Sequence, residues 1–222
     1  MAAGEFDTYI REYGRALKAY GQPVFFRLIS RHTVDLLREE GTSNAVFVWT
    51  TITFPSAPAN AANWGIDPDI NSYYPGDDYV DWISADHYDY GDPNNPVIDP
   101  LNVAQWLNPS HDFAALHGKP FLLAEWGVRS GLLTPPQMQT WIGLMFDYFA
   151  SHPRIKAINY FNLNFARPVS TAGHVFLCNN QVNYAPNVND GDGRLLAESE
   201  ANFRSTYAAR ITTPRYVSAL SP

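Results

Sequence analysis

Cysteine is almost absent: Cys178 is the only one in 222 residues. No intramolecular disulfide can form, so the cysteine count does not identify a redox compartment. The thiol reads as a small buried hydrophobe. Positive charge is also scarce, with 15 Lys and Arg against 22 Asp and Glu and a net charge of -7. Such a chain lacks the basic surface that nucleic acids or anionic membranes require, and neither is expected as a partner. No apolar run approaches the length of a membrane span. Met1–Asp7 shows no basic segment followed by an apolar one, so no signal peptide is visible. Phosphate-binding glycine loops are missing too. There is no GxGxxG and no GxxxxGKS/T, and Gly191-Asp192-Gly193 reads only as a turn. The G-x-S-x-G elbow of serine hydrolases is absent, and Ser84 and Ser130 have the wrong surroundings for that chemistry. His87 and Asp89, or Asp190 and Asp192, stand two apart without an H-x-x-x-H or Cys/His cluster to complete a site. No metal and no cofactor is expected. The six histidines read as polar surface or loop groups.

What is present is a globular composition, 45% hydrophobic and 17% charged. Aromatics reach 14%. On an acidic globule that surplus suits either a packed core or stacking on sugar rings.

Apolar periodicity predicts alternating helices and strands. Asp7–Tyr20 reads as a helix with Asp7 as N-cap and Gly21 as its stop. Pro23–Ile29 reads as a buried strand carrying Arg27. Ser30 and Arg31 lead with almost no loop into a helix over His32–Glu40, closed by Gly41. Asn44–Thr51 is the next strand. Phe54–Gly76 is irregular, and a loop of that length is usually functional. Tyr79–Tyr88 reads as a strand, Val103–Leu116 as a helix interrupted at Pro109, and Thr134–Ser151 as a helix with Pro135 at its first position. Ile155–Phe161 reads as a fifth strand, Arg167–Asp192 as loop, and Leu195–Ile211 as a closing helix. This alternation predicts an α/β fold with a parallel sheet, in one domain over residues 1–222. Polar residues follow the apolar runs, as at a barrel mouth or the cleft of a doubly wound sheet.

Lys119–Gly127, KPFLLAEWG, is the most informative stretch. Its apolar run reads as a buried parallel strand that ends in Glu125. Simple alternation puts Phe121, Leu123 and Glu125 on one face. A carboxylate there must line a cleft or be paired, and both readings stay open. Asp86 sits at the corresponding end of the neighbouring strand, and Tyr88 shares its face. A phenol beside a carboxylate can orient it by a charge-assisted hydrogen bond. Glycoside hydrolysis uses two carboxyl groups, about 5–5.5 Å apart when configuration is retained and wider apart when it is inverted. For Asp86, a salt bridge in the rim is the equal alternative.

GEFDTYIREYGRALKAYGQPVFFR resembles the approach to the fourth barrel strand of glycoside hydrolase family 26, whose best-known members are β-mannanases. NAVFVWT, YYPGDDYVDWISADHY, KPFLLAEWG and INYFN resemble its fifth to eighth strands. The resemblance implies an incomplete (β/α)8 TIM barrel of about five βα units, strands four to eight, without strands one to three. It implies a retaining endo-glycosidase acting on a β-linked polysaccharide or oligosaccharide, with Glu125 as nucleophile and Tyr88 positioning it. Asp86, Arg27, Trp126, Phe161 and Asn162 would line the sugar site. Phe161 stands where relatives often carry a stacking Trp, and Trp49 reads as core before cleft wall. The family's acid/base motif, which follows the fourth strand, is absent between PVFFRLIS and RHTVDLLREEG. Loss of general acid assistance costs about 10²–10⁴ in rate, so impaired hydrolysis or a non-catalytic carbohydrate-binding role is the alternative. Five strands leave open sheet edges, which invite self-association. An extracellular location is what the family implies.

Overall fold

The structure is a computed structural model, and it describes residues 4–27, 29–51, 69–89, 100–128, 135–160 and 209–210. Helix α1 (Asp7–Tyr20) leads to β1 (Val24–Phe26), α2 (Arg31–Glu39) and β2 (Ala45–Thr51). Short 3-10 turns at Ile70–Tyr73 and Asp77–Tyr79 precede β3 (Trp82–Asp89). Then come α3 (Pro100–Leu116), β4 (Phe121–Val128), α4 (Pro135–Ser151) and β5 (Ile155–Tyr160). The five strands form one sheet in the order β1-β2-β3-β4-β5. Strands β1 and β2 are parallel with Phe26 opposite Phe47, and β2 and β3 are parallel with Thr50 opposite Ser84. The Ile83 amide donates to the Pro120 carbonyl at 3.1 Å, and the Phe121 amide to Arg154 at 3.0 Å. Three of the four strand connections pass through an α-helix among the described residues, and sequential strands joined in that way and lying side by side are the repeating unit of a barrel. Of the predicted Leu195–Ile211 helix only Ala209 and Arg210 are described, both helical, and most of the predicted loops lie outside the described residues.

Contacts group the chain into two compact units: residues 1–86, 106–124 and 154–157, and residues 87–105, 125–153 and 158–222. Strands β3, β4 and β5 begin in the first and end in the second.

In the first unit, α1 and α2 seal one face of β1 and β2. Leu17, Val34, Leu37, Ala45 and Phe47 form a buried cluster joined by Ile10, Val24, Phe26, Ile29 and Tyr79. Gly14 is buried where α1 meets α2, and a Cβ there would stand 3.0 Å from Leu37 and 3.1 Å from the Thr42 hydroxyl. The caps explain the abrupt turns. Ser30 Oγ accepts from the Thr33 amide at 3.2 Å, which lets α2 start with no loop. Gly41 at φ 73° closes α2, with its amide on Arg38 O and the Thr42 amide on Leu37 O. At α1 the N-cap position is Phe6, without a side-chain bond, and Asp7 is the first helical residue. The Asp7 carboxylate meets His32 Nε2 at 2.6 Å instead, so its oxygen ties α1 to α2. Val48, Leu122 and Ala124 form a second buried cluster with Trp82 and Ala157 against it. Trp49 packs against Tyr74 and Phe113, which makes it core.

In the second unit, α4 lays Trp141, Ile142, Met145, Phe146 and Phe149 into a buried aromatic layer. Helix α3 runs unbroken through Pro109, contrary to the predicted interruption. Among the described residues no helix is long and apolar enough to cross a membrane.

Candidate functional site

The polar residues predicted at the strand ends fall into three groups. The first joins β1, β2 and β3. Arg27, just past β1, donates from Nη2 to Asp86 Oδ1 at 3.2 Å and Oδ2 at 2.9 Å. Its Nε donates to Thr50 Oγ1 at 3.0 Å, and that hydroxyl lies 2.8 Å from Ser84 Oγ. The register makes this inevitable, because Thr50 sits opposite Ser84 and Asp86 follows two residues on, on the same face. Both charged side chains are about a third exposed, at 28% and 33%. The rim salt bridge weighed for Asp86 is made, and its partner is Arg27. The two hydroxyls were missed in the sequence, although strand parity and the Thr50-Thr51 dipeptide point to them.

The second group lies in the second half of β4, which runs on past Glu125, where the sequence predicted its end, to Val128. Trp126 is fully buried, with ring centroids 5.7 Å from Phe146, 5.1 Å from Phe149 and 5.0 Å from Tyr160. The sugar-wall role expected for Trp126 is corrected by this burial, because a ring with no exposed surface cannot stack on a ligand. Neighbouring residues in a strand point to opposite faces. With Trp126 against α4, Glu125 stands on the face away from that helix, and it is partly exposed. Earlier in the strand it is Phe121 whose ring meets a helix residue, His111 of α3, at 5.9 Å.

The third group is Tyr88, Phe161 and Asn162. Tyr88 lies in β3 two residues after Asp86. Phe161 and Asn162 follow β5 and lie outside the described residues. Between Asp86 and Tyr88, His87 is buried at 7% exposure and its ring lies 6.0 Å from Trp141. Burial pushes its pKa down to about 4. It is core, not the surface histidine expected, and its odd parity with Ile83 and Ala85 was the available signal.

YYPGDDYVDW, the most distinctive motif, works as a brace. The Tyr74 hydroxyl donates to Asp77 at 2.7 Å, and His117 Nδ1 meets the same oxygen at 2.9 Å. Burial first, then Asp77, pushes the Tyr74 phenol up. The Tyr74 hydrogen bond and the positive neighbours hold Asp77 below the usual carboxylate range, against desolvation. Arg31 donates to the Pro75 carbonyl and Arg38 to that of Asp78, each at 2.6 Å, and Asp81 accepts from the Phe47 amide at 2.8 Å. The motif fixes how the chain enters β3. Among the described residues no group of three His, Cys, Asp or Glu is placed to hold a metal ion.

No protein-family profile matches the chain. It is 25% identical over 149 residues to Endoglucanase H of Acetivibrio thermocellus, a match covering 55% of this chain and 16% of that protein. It is 26% identical over 145 residues to a beta-1,3-xylanase of a Vibrio species, covering 56% and 28%. Among solved structures, a family 26 beta-mannanase from Bacteroides ovatus superposes with a TM-score of 0.57 at 16% identity, covering 98% of this chain and 61% of that one. A Cellulomonas fimi endo-beta-1,4-mannanase double mutant gives 0.61 at 17% identity, covering 96% and 47%. The chain thus spans less than two thirds of the length of each of these proteins. The fold is that of the family the sequence resembles, an incomplete (β/α)8 barrel type.

Proposed function

We propose that this chain is a retaining β-glycan hydrolase of mannanase type whose nucleophile is Glu125. The observation that carries the reading is the contrast inside one dipeptide: Trp126 is locked into the α4 layer while Glu125 keeps access to solvent. In this reading a Glu125 oxygen attacks the anomeric carbon, the bond to the leaving oxygen breaks with its electron pair, and water later cleaves the glycosyl ester. Tyr88 orients Glu125, and Asp86, held by Arg27, bonds sugar hydroxyls. Phe161 and Asn162 complete the sugar contacts. The names of the relatives and neighbours, an endoglucanase, a xylanase and mannanases, support a β-linked glycan as substrate.

The absent acid/base motif shapes the test. An activated aryl glycoside leaves without proton assistance, whereas a polysaccharide leaving group loses about 10²–10⁴ in rate. Mass spectrometry after incubation with an activated fluoro-sugar is expected to show a glycosyl adduct on Glu125, absent in Glu125→Gln. An adduct that persists in that variant removes Glu125 from the mechanism. Oligosaccharide binding without adduct or aryl glycoside turnover supports the alternative that the missing motif also suggests, a carbohydrate-binding barrel without catalysis.

A further inference from the structure

Phe47 lies in the cluster sealed by α1 and α2, so alternation sends Val48 and Thr50 to the other face of β2. In register, Val48 stands opposite Trp82 and Thr50 opposite Ser84. Along this face an apolar pair gives way to a hydroxyl pair, and then to the Arg27–Asp86 ion pair. Ser84 is fully buried and Thr50 half-buried. A buried hydroxyl is costly unless it is bonded, and an apolar pair like the one below would fill the same space without that cost. What these two hydroxyls meet is Arg27. Its Nε can only donate, so Thr50 Oγ1 accepts from it at 3.0 Å, and the Thr50 proton can go to Ser84 Oγ at 2.8 Å. Nε and Nη2 lie along one edge of a guanidinium, and a carboxylate on such an edge often takes both in two parallel hydrogen bonds. Here that edge is shared. Thr50 holds Nε, while both Asp86 oxygens meet Nη2, at 3.2 and 2.9 Å.

We propose that Thr50, supported by Ser84, is a positioning residue for glycan binding: its hydroxyl occupies Arg27 Nε and so keeps Asp86 out of the two-pronged grip, at the angle from which it bonds a sugar hydroxyl. This rests on the reading of Asp86 as a sugar-binding carboxylate. Thr50 acts through Arg27 and Asp86 and does not itself touch the sugar. Valine has nearly the shape of threonine without the hydroxyl. In Thr50→Val the Nε proton passes to the carboxylate, and a charge-assisted bond replaces a weaker one. The ion pair tightens, and Asp86 turns toward Arg27 and away from the ligand. Binding is therefore lost while the fold is spared, which is the opposite of what a merely structural hydroxyl would give.

Calorimetric titration with oligosaccharides of β-linked mannose and of β-linked glucose tests this, beside crystal structures of the same variants. Thr50→Val is expected to raise the dissociation constant of the oligosaccharide that wild type binds by at least about tenfold. Its structure is expected to show Asp86 spanning Nε and Nη2, and the Arg27 Nε proton is expected to move downfield in NMR spectra. Thr50→Ser, which keeps the hydroxyl, is expected to restore affinity and geometry together. Urea unfolding checks that each variant is folded. Unchanged affinity in Thr50→Val, an Asp86 that stays on Nη2 in that variant, or a Thr50→Ser as weak as Thr50→Val overturns the proposal and leaves the glycan reading standing. A wild type that binds neither oligosaccharide overturns that reading, and this proposal with it.

Discussion

Arg27 grips both oxygens of Asp86 with a single nitrogen, at 3.2 and 2.9 Å, while its Nε is tied to Thr50. The arginine is thus held from two sides, which leaves Asp86 a fixed acceptor. A charged hydrogen bond in a half-buried setting contributes about 1.5–3 kcal/mol, less where water screens it. Arg27→Met is expected to lower unfolding stability by about 1–2 kcal/mol. Thr50→Val is expected to cost less, and Thr50→Ser to recover most of that loss. Equal stability of Arg27→Met and wild type in urea would show that the contact is fully solvated.

Trp126 separates packing from binding. Its truncation to Ala is expected to cost about 3–5 kcal/mol, as for a buried Trp in a filled core. A ring lining a sugar cleft would instead lose affinity with little change in stability. Urea titration of Trp126→Ala decides between them.

His87 sets a pH dependence. Its folded pKa, about 4, lies below the unfolded value near 6.5. The unfolded chain therefore binds this proton first as pH falls. Stability is unaffected above about pH 6.5 and declines between there and about pH 4, by at most about 1.4 kcal/mol per pH unit. His87→Phe keeps a ring against Trp141 and is expected to flatten that part of the profile relative to wild type. Parallel profiles for the two proteins between pH 7 and 5 would refute the assignment.

Gly14 sets helix propensity against packing. Alanine is the better helix former by about 1 kcal/mol. Its Cβ would meet Leu37 at 3.0 Å and Thr42 Oγ1 at 3.1 Å, and Thr42 is itself anchored by its bond to the Gly14 carbonyl. Overpacking of this kind costs about 1–3 kcal/mol. Gly14→Ala is expected to lower the melting temperature, and a rise would mean that the seam yields.

The element pattern was legible because each signal is local. Asp7–Tyr20 ends at Gly21 in both readings, since a left-handed stop needs glycine and the periodicity is continuous up to it. Where the sequence reading missed, a longer-range contact had won. Asp7 was expected to cap its own helix, but its carboxylate is taken by His32, 25 residues away. The predicted break at Pro109 failed because the lost hydrogen bond and ring clash of an interior proline, together about 3 kcal/mol, are offset by the burial of Val103, Leu107, Phe113 and Ala114 on the same helix.

By itself the sequence determined the alternation of helices and strands and the acidic charge, because period, composition and glycine stops are properties of neighbouring residues; β3 and β4 run on past Asp86 and Glu125, which the sequence placed at their ends. Only the tertiary structure decided which of Glu125 and Trp126 is buried, that Arg27 belongs to Asp86, and that His87 is core. Those outcomes depend on which helix covers a strand and on the register between strands, and both arise from contacts tens of residues apart.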